Sequence, residues 1–550
     1  MRNKIFVIFS AMFMIIAMLG MIMSCGDTFV RSANISVKSR YKLILSCDDG
    51  GQFVVSPSKT EYLVGETVSL LAVPDEGYSF RCWSDGVGDA ERTIVMNEDT
   101  VLSVEFSRRS WTIVMYMAAD NDLEAAAILD INEMEAADFA DSGITVLALV
   151  DRAEGYDGTN GDWTDTRLYE ITHDEDGMNG NIVSKRISCN MLGLSADTDS
   201  ELNMSDPNVL RNVLNFATKS YPAENYGLVI WGHGTGWRGY GTAAVLEHDL
   251  SCEQSLSPAV KAVAIDDYSS SYMTIAQMHE AISASPFGSS GTAGKLGFLG
   301  FDTCYGALLE TAWEFRNDAK YMVGSENSVP SNGWNYQTFL DSAVTAPSSQ
   351  SGTLTPEMLA ECAKSSFAAQ YKNLSYATIS VVNLSNVGDL KQKFENFLEL
   401  VVSGVSSREE AQNLLDCIMD DVLSFSYVGY ASDMFLDMYS FVKKVHAAKD
   451  VIFSDQTVIS QMEYRQSSFV TALNKAVSSW SGDNSRNNRL GIYFSPVSAS
   501  GEPVATYSTA YIKNSGDLNQ SAFVNDSVNW VPTKNCTDDT VLNKIFFTEF

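Results

Sequence analysis

KLGFLGFDTC, running from Lys295 to Cys304, decides the fold. An apolar run broken only by two glycines predicts a buried strand, and the spacing of YGALLETAWEF predicts a helix starting immediately after it. Cys304 then stands at a strand-to-helix junction, where unpaired N–H groups and the positive end of a helix dipole favour thiolate over thiol. Asp302 lies two positions earlier, so a persisting strand turns both side chains to one face. One acid and one thiol look into the same space.

A second apolar stretch, YGLVIWGHGTGW from Tyr226 to Trp237, runs into a glycine-rich turn that carries His233. Glycines on both sides leave the imidazole uncrowded and let a substrate backbone approach, which makes His233 the candidate base. A strand ending in WGHG followed by one ending in FDTC resembles the clostripain family of cysteine peptidases, relatives of caspases, gingipains and legumains. WTIVMYMAADNDLE and SENSVPSNGWNY are similar to further signatures of that family, so the likeness covers most of the chain.

The resemblance implies an α/β, caspase-like fold: a mostly parallel sheet flanked by helices. It implies a His233/Cys304 dyad with no obligate third member, and an oxyanion held by the backbone N–H groups of Gly234 and Cys304. Asp302 would lie at the base of the pocket for the residue before the scissile bond and select Arg or Lys. The loop carrying Asn332 and Trp334 helps build that pocket in relatives. Where some relatives place an Asp beside the Gly-Trp pair, this chain has Asn332, one charge fewer, and Glu326 either compensates or is a loop carboxylate. No cofactor is needed for this chemistry, although some relatives require calcium. In the family the segment between the two strands can be cut during self-activation. Of Arg238, Lys261 and Lys295, its only basic residues, Lys261 is best placed.

At 550 residues and 45% hydrophobic content the chain has room for a full catalytic domain and an accessory module. A net charge of -32, spread along the chain, excludes nucleic acid as a natural partner and suits cationic substrates. Arg2 and Lys4 precede an apolar run from Ile5 to Met23 that ends Ser24-Cys25-Gly26. This reads as a lipoprotein signal over residues 1–24, with Cys25 lipidated and residues 25–40 a linker; the other reading is an uncleaved membrane anchor. Either way the remainder is exported to the cell envelope or surface.

Residues 41–107 alternate and turn like a small antiparallel β module, with Phe80 and Trp83 as core candidates. GETV, PDEGY and TVLSVEF there resemble the divergent repeat of internalin-type surface proteins, which implies spacing or surface interaction. Nine cysteines are odd in number and scattered; Cys47 and Cys82 share this module and either pair or remain thiols.

Residues 110–550 read as the peptidase domain, with a core over 111–340 and an extension over 341–550. Apolar runs alternate with helical periodicity, the pattern of parallel strands joined by crossover helices. Asp206-Pro207 is a helix start, YATISVVNLS an extra strand, RLGIYFSP a late strand returning to the sheet, and VGYASDMFLDMYSFVKKV a helix. Asp120, Asn121 and Asp122 read as a helix cap before LEAAA, although their stretch recurs in the family and is free to approach the active site. Glu247, His248, Asp249 and Cys252 crowd together without the repeated spacing of a zinc site, so no metal is assigned to them. The expected function is an exported cysteine endopeptidase acting on proteins or peptides, anchored to a membrane by its N-terminal lipid; nothing specifies an oligomer. The competing class is a lipid-anchored surface binding protein that keeps the peptidase fold as scaffold, against which the intact His233, Cys304 and Asp302 argue.

Overall fold

The computed structural model describes residues 5–8, 40–75, 77–139, 142–234, 236, 263–266, 268–288, 291–346, 353–374, 376–419, 433–482, 489–496, 521–531 and 540–546. Two compact units result, Met1–Ser110 with Pro222–Glu224, and Trp111–Tyr221 with Asn225–Phe550. Cys25 and Lys261 lie outside the described residues, as do Glu247, His248, Asp249 and Cys252.

The first unit is all β. Gly51–Ser56 and Glu91–Met96 flank Glu66–Pro74 in an antiparallel sheet, and in a second, mixed sheet Thr100–Arg108 pairs parallel with Leu43–Cys47 and antiparallel with Tyr78–Trp83. In Glu66–Pro74, Val68, Leu70 and Ala72 point inward while their neighbours face solvent, the period of a half-buried strand. They meet a fully buried Trp83, with Phe80 packed at the cluster's edge. Cys47 and Cys82 stand as separate thiols, and the Cys47 thiol donates to the Gly51 carbonyl at 3.4 Å.

The second unit is built on one nine-stranded sheet. Its strands in chain order are β1 (Trp111–Ala119), β2 (Ile144–Arg152), β3 (Thr166–Glu170), β4 (Lys185–Arg186), β5 (Asn225–Trp231), β6 (Leu296–Asp302), β7 (Ala319–Gly324), β8 (Ile379–Asn383) and β9 (Val477–Ser481). They lie in the order β4-β3-β2-β1-β5-β6-β7-β8-β9. The five strands from β2 to β7 are mutually parallel, and the outer ones are antiparallel additions. Every residue of β1 and β6 is buried, which is why their sequences run apolar without alternation: helices cover both faces of a parallel sheet.

One core packs Ile128, Ile131 and Met134 of α1 (Glu124–Ala136), Phe339 and Leu340 of α5 (Tyr336–Thr345) and Leu359 and Phe367 of α6 (Pro356–Gln370) against Ile113, Met115, Val146 and Phe298 of the sheet. Elsewhere α2 (Pro207–Ser220), α3 (Ile275–Ser283), α4 (Leu309–Phe315) and α7 (Val387–Gly404) contact one another in succession. Capping decides where these helices begin. Asp206 accepts the Asn208 N–H with Pro207 at the first helical position, and Thr274 with Gln277 closes a full capping box before α3.

Two expectations for the extension fail. Gly491–Pro496 pairs antiparallel with Asp433–Asp437 as a separate two-stranded ribbon instead of rejoining the sheet, whose β9 edge is formed by Val477–Ser481. The segment read as one helix is, where described, that strand followed by a helix over Met438–Ala447, capped by the Asp437 carboxylate on the Ser440 N–H. Phe435 and Leu436 are drawn into the ribbon by burial, and tertiary packing overrides their helical spacing.

Candidate active site

β5 and β6 are adjacent and parallel, with Trp231 opposite Asp302 in register. His233 and Cys304 each follow two residues later, at the carboxyl ends of the strands, where open α/β sheets collect their ligands. The two loops are in contact. A Cβ on Gly234 would lie 2.6 Å from the Thr303 Cβ and 2.7 Å from the Cys304 carbonyl oxygen, so only glycine lets the histidine loop lie on the cysteine loop. Gly234 also forms an isolated antiparallel bridge with Val263.

The backbone turns sharply after Cys304, with Tyr305 held at φ 57°, an uncommon conformation for a side-chain-bearing residue. That turn is pinned: the Tyr305 N–H donates to the Asn327 carbonyl at 3.0 Å and the Ala307 N–H to that of Ser325 at 2.8 Å. The Cys304 Sγ accepts the Val329 N–H at 3.3 Å. The expected helix dipole is not delivered to the thiol, because α4 begins only at Leu309 and is a short helix. Burial instead pushes the Cys304 thiol up from its ordinary value, with the nearby Asp302 charge acting the same way and the Val329 N–H against it.

A third group comes from the acidic stretch that the sequence left free to approach the active site. Asp122 lies in the turn between β1 and α1, and its Oδ1 stands 2.5 Å from His233 Nε2. The imidazole holds the Asp122 carboxyl below its usual range. Asn121 and Asp120 fix the turn: the Asn121 amide donates to the Ala118 and Ile265 carbonyls, and Asp120 Oδ2 accepts the Tyr268 N–H at 2.7 Å. The start of α1 is anchored by a fully buried pair in which Arg152 Nε donates to Glu124 Oε1 at 2.5 Å. The cap reading of this acidic triplet is therefore only partly right. Asn121 accepts the Leu123 N–H, while Asp122 reaches across the sheet to the histidine.

Asp302 is buried beneath the Ser331–Asn335 loop. Its Oδ2 accepts the Trp334 N–H at 2.9 Å and the Tyr336 hydroxyl at 2.8 Å, while its Oδ1 has no partner. Burial pushes its carboxyl up to about 7 despite those two donors. Gly333 closes over it, and a Cβ there would come within 2.6 Å of Asp302 Oδ2. Trp334 is a correction to the expected contact residue. Its indole is fully buried against Phe298 and Phe339, so it braces the loop and offers no surface to a ligand. Asn332 is exposed at the loop's tip. Glu326 does not stand in for the missing charge, since its buried carboxyl meets Asp437, and burial followed by Asp437 pushes it up.

A second acidic group lies nearby. Asp120, Asp151 and Asp266, all buried, each offer an oxygen, and these atoms lie within 4.8 Å of one another. Asp151 Oδ1 accepts the Thr166 hydroxyl at 2.7 Å, and its Oδ2 has no partner. Among the described residues no basic side chain pairs with Asp151 or Asp266. Arg152, the next residue along β2, is taken by Glu124. Three buried carboxylates, two of them without a basic partner among the described residues, offer the hard oxygen ligands that fit a cation of the calcium type.

This site, a thiol and an imidazole on neighbouring strand ends of an α/β sheet, is that of a cysteine hydrolase in its general layout. The clostripain family profile matches residues 115–535, and a divergent InlB B-repeat domain profile matches residues 41–110. Clostripain from Hathewaya histolytica is 33% identical over 135 residues, a stretch covering 23% of this chain and about a quarter of that protein's length, 24%. An inactive zymogen C11 protease from Parabacteroides distasonis has 19% identity and a TM-score of 0.46, with 70% of this chain and 91% of that one covered. A secreted C11 cysteine protease from Bacteroides thetaiotaomicron, solved with an irreversible peptide inhibitor, has 18% identity and a TM-score of 0.45, covering 76% and 97%. The chain belongs to the clostripain family. No helix among its described residues is long and apolar enough to cross a membrane.

Proposed function

We propose that the protein is an exported cysteine endopeptidase that cleaves after Arg or Lys, with Cys304 as nucleophile and His233 as general base and acid. The observation that carries this is the backbone contact at Gly234, which seats the histidine loop on the cysteine loop at adjacent strand ends. Because burial disfavours the thiolate, His233 takes the Sγ proton as sulfur attacks the scissile carbonyl. The carbonyl π electrons move to oxygen, which the Gly234 and Cys304 N–H groups stabilise. Collapse of this intermediate breaks the C–N bond, and the imidazolium protonates the leaving amine. Water, deprotonated by His233, then hydrolyses the thioester and restores the thiol. Asp122 holds the ring in orientation, so the dyad works with a positioning carboxylate.

Asp302 receives the cationic side chain before the scissile bond, with the loop bearing Asn332 as its outer wall. Asp120, Asp151 and Asp266 would hold a calcium ion, which supplies fixed positive charge and takes no part in bond making. Cys25 carries the lipid anchor and Lys261 the self-cleavage bond. Fluorogenic peptides ending in Arg or Lys, assayed with and without reductant beside Cys304→Ala, test the central reading. Turnover that survives Cys304→Ala, or none on any basic or neutral peptide, would overturn it and favour a surface binding protein. Intact mass of wild type against Cys304→Ala reports on self-cleavage at Lys261.

A further inference from the structure

The turn behind Cys304 is held from a part of the chain that the chemistry above does not use. Tyr305, half-buried and at φ 57°, is met by three segments. Gly236 of the histidine loop packs against it, and a Cβ there would stand 2.6 Å from the Tyr305 Cβ. The Tyr305 hydroxyl shares a hydrogen bond of 3.0 Å with the Ser328 hydroxyl, one residue before the Val329 N–H that reaches the Cys304 sulfur. The Tyr305 ring stacks on that of Phe435, with centroids 5.1 Å apart and planes 18° from parallel.

Phe435 is buried in the Asp433–Asp437 strand of the ribbon, where Tyr493 is its register partner and the two rings meet edge to face at 5.8 Å. The same ribbon is fastened to the chain just past the turn. The Gly491 N–H donates to the Ala307 carbonyl at 3.0 Å, Gly491 forms a parallel bridge with Leu308, and the Tyr493 N–H donates to Glu310 Oε1 at 2.9 Å. A ribbon fixed along residues 307–310 therefore presents an aromatic ring to residue 305.

A side-chain-bearing residue keeps a positive φ only where its surroundings hold it there. The bonds from the Tyr305 and Ala307 N–H groups fix the backbone of this turn, and Phe435 and Ser328 fix the ring. A stacked pair sets both the plane and the position of a ring, which an aliphatic side chain of similar size does not. We propose that Phe435 is a positioning residue for the nucleophile: acting through Tyr305, it holds the turn that aims Cys304 at the histidine loop. Its effect on turnover rests on the reading of Cys304 given above, whereas the placement of the thiol can be read without any substrate.

The full chain is compared as wild type, Phe435→Leu and Phe435→Tyr, with Phe435→Met replacing the leucine variant if that one does not fold. One readout is kcat and KM on arginine and lysine peptides. The other is the rate at which iodoacetamide alkylates Cys304 and Cys362, resolved by mass spectrometry; Cys362 is buried on α6 and reports general loosening. Phe435→Leu should lower kcat by roughly threefold to tenfold, the size of an aromatic pair's contribution, with KM within about twofold of wild type. Alkylation of Cys304 should speed up by about the same factor while Cys362 is unchanged, and Phe435→Tyr should restore both readouts. In a Tyr305→Gly background, where positive φ is unstrained and no ring is left to hold, Phe435→Leu should add nothing. Equal acceleration at both thiols, Cys304 alkylation within about twofold of wild type in Phe435→Leu, or the same effect of Phe435→Leu with and without the Tyr305 ring overturns the proposal. Wild type that cuts no peptide while Cys304 alkylation responds as expected would instead sink the peptidase reading alone.

Discussion

Replacing Gly234 by alanine isolates the contact on which the proposed chemistry depends. The added methyl would sit 2.6 Å from the Thr303 Cβ and 2.7 Å from the Cys304 carbonyl oxygen. Carbon atoms rest comfortably at about 3.5 Å or more, so the histidine and cysteine loops must part by roughly 0.9 Å. Neither neighbour is the far end of a flexible side chain, and the strain falls on backbone that flanks both reacting groups. A misplacement of about 1 Å lowers an enzymatic rate by roughly 10²-fold, or about 2.7 kcal/mol of transition-state stabilisation. The assay is kcat/KM on an arginine peptide, with thermal unfolding and the alkylation rate of Cys304 measured in parallel. The expected result is a loss of that size with folding and thiol content retained. Gly158→Ala, whose added methyl would meet only the Asp162 carboxylate at 3.9 Å, is the control. Gly234→Ala at near-wild-type rate would refute the argument that this backbone contact sets the geometry of thiol and imidazole.

Asp122→Asn removes a carboxylate that is largely exposed, so screening limits the effect to about 1–2 kcal/mol, or roughly tenfold in kcat with KM little changed; a KM effect alone would remove Asp122 from the chemistry. Because burial raises the Cys304 thiol above its ordinary value, its alkylation by iodoacetamide should be slow at neutral pH and climb steeply as the pH passes 9, the ordinary value from which it is raised. Fast, pH-independent alkylation would instead indicate a preformed ion pair. Burial pushes the Asp151 carboxyl up to about 9, above its unfolded value, so its contribution to stability is full below about pH 4 and is lost as the pH rises through 9. In chelator the unfolding free energy should therefore fall between pH 5 and pH 8 at on the order of 1 kcal/mol per pH unit, and the thermal midpoint with it, less steeply in Asp151→Asn. Calcium should raise the midpoint more at the alkaline end, and identical curves with and without it would remove the cation site.

What the sequence determined by itself was the set of local structures and the order in which they come. β1 and β6 are legible because a strand covered on both faces has no polar positions to interrupt its apolar run, and the Asp206-Pro207 cap needs only its own neighbours. With WGHG and FDTC at two such strand ends, His233 and Cys304 follow from the rule that parallel sheets present their carboxyl ends to ligands. Tertiary structure decided everything that depends on who meets whom. Asp122 reaches His233 across 111 positions, Asp130 accepts from the Trp231 indole on β5, and Gly491–Pro496 leaves the main sheet for Asp433–Asp437. It also reversed the direction of the expected shift at the nucleophile, since the dipole argument rested on a helix next to Cys304, and the folded chain puts burial there instead. Periodicity and caps are set over a few bonds and can be read from neighbours, whereas desolvation and charge are set by whatever the fold brings close, and that is fixed only when the whole sheet closes.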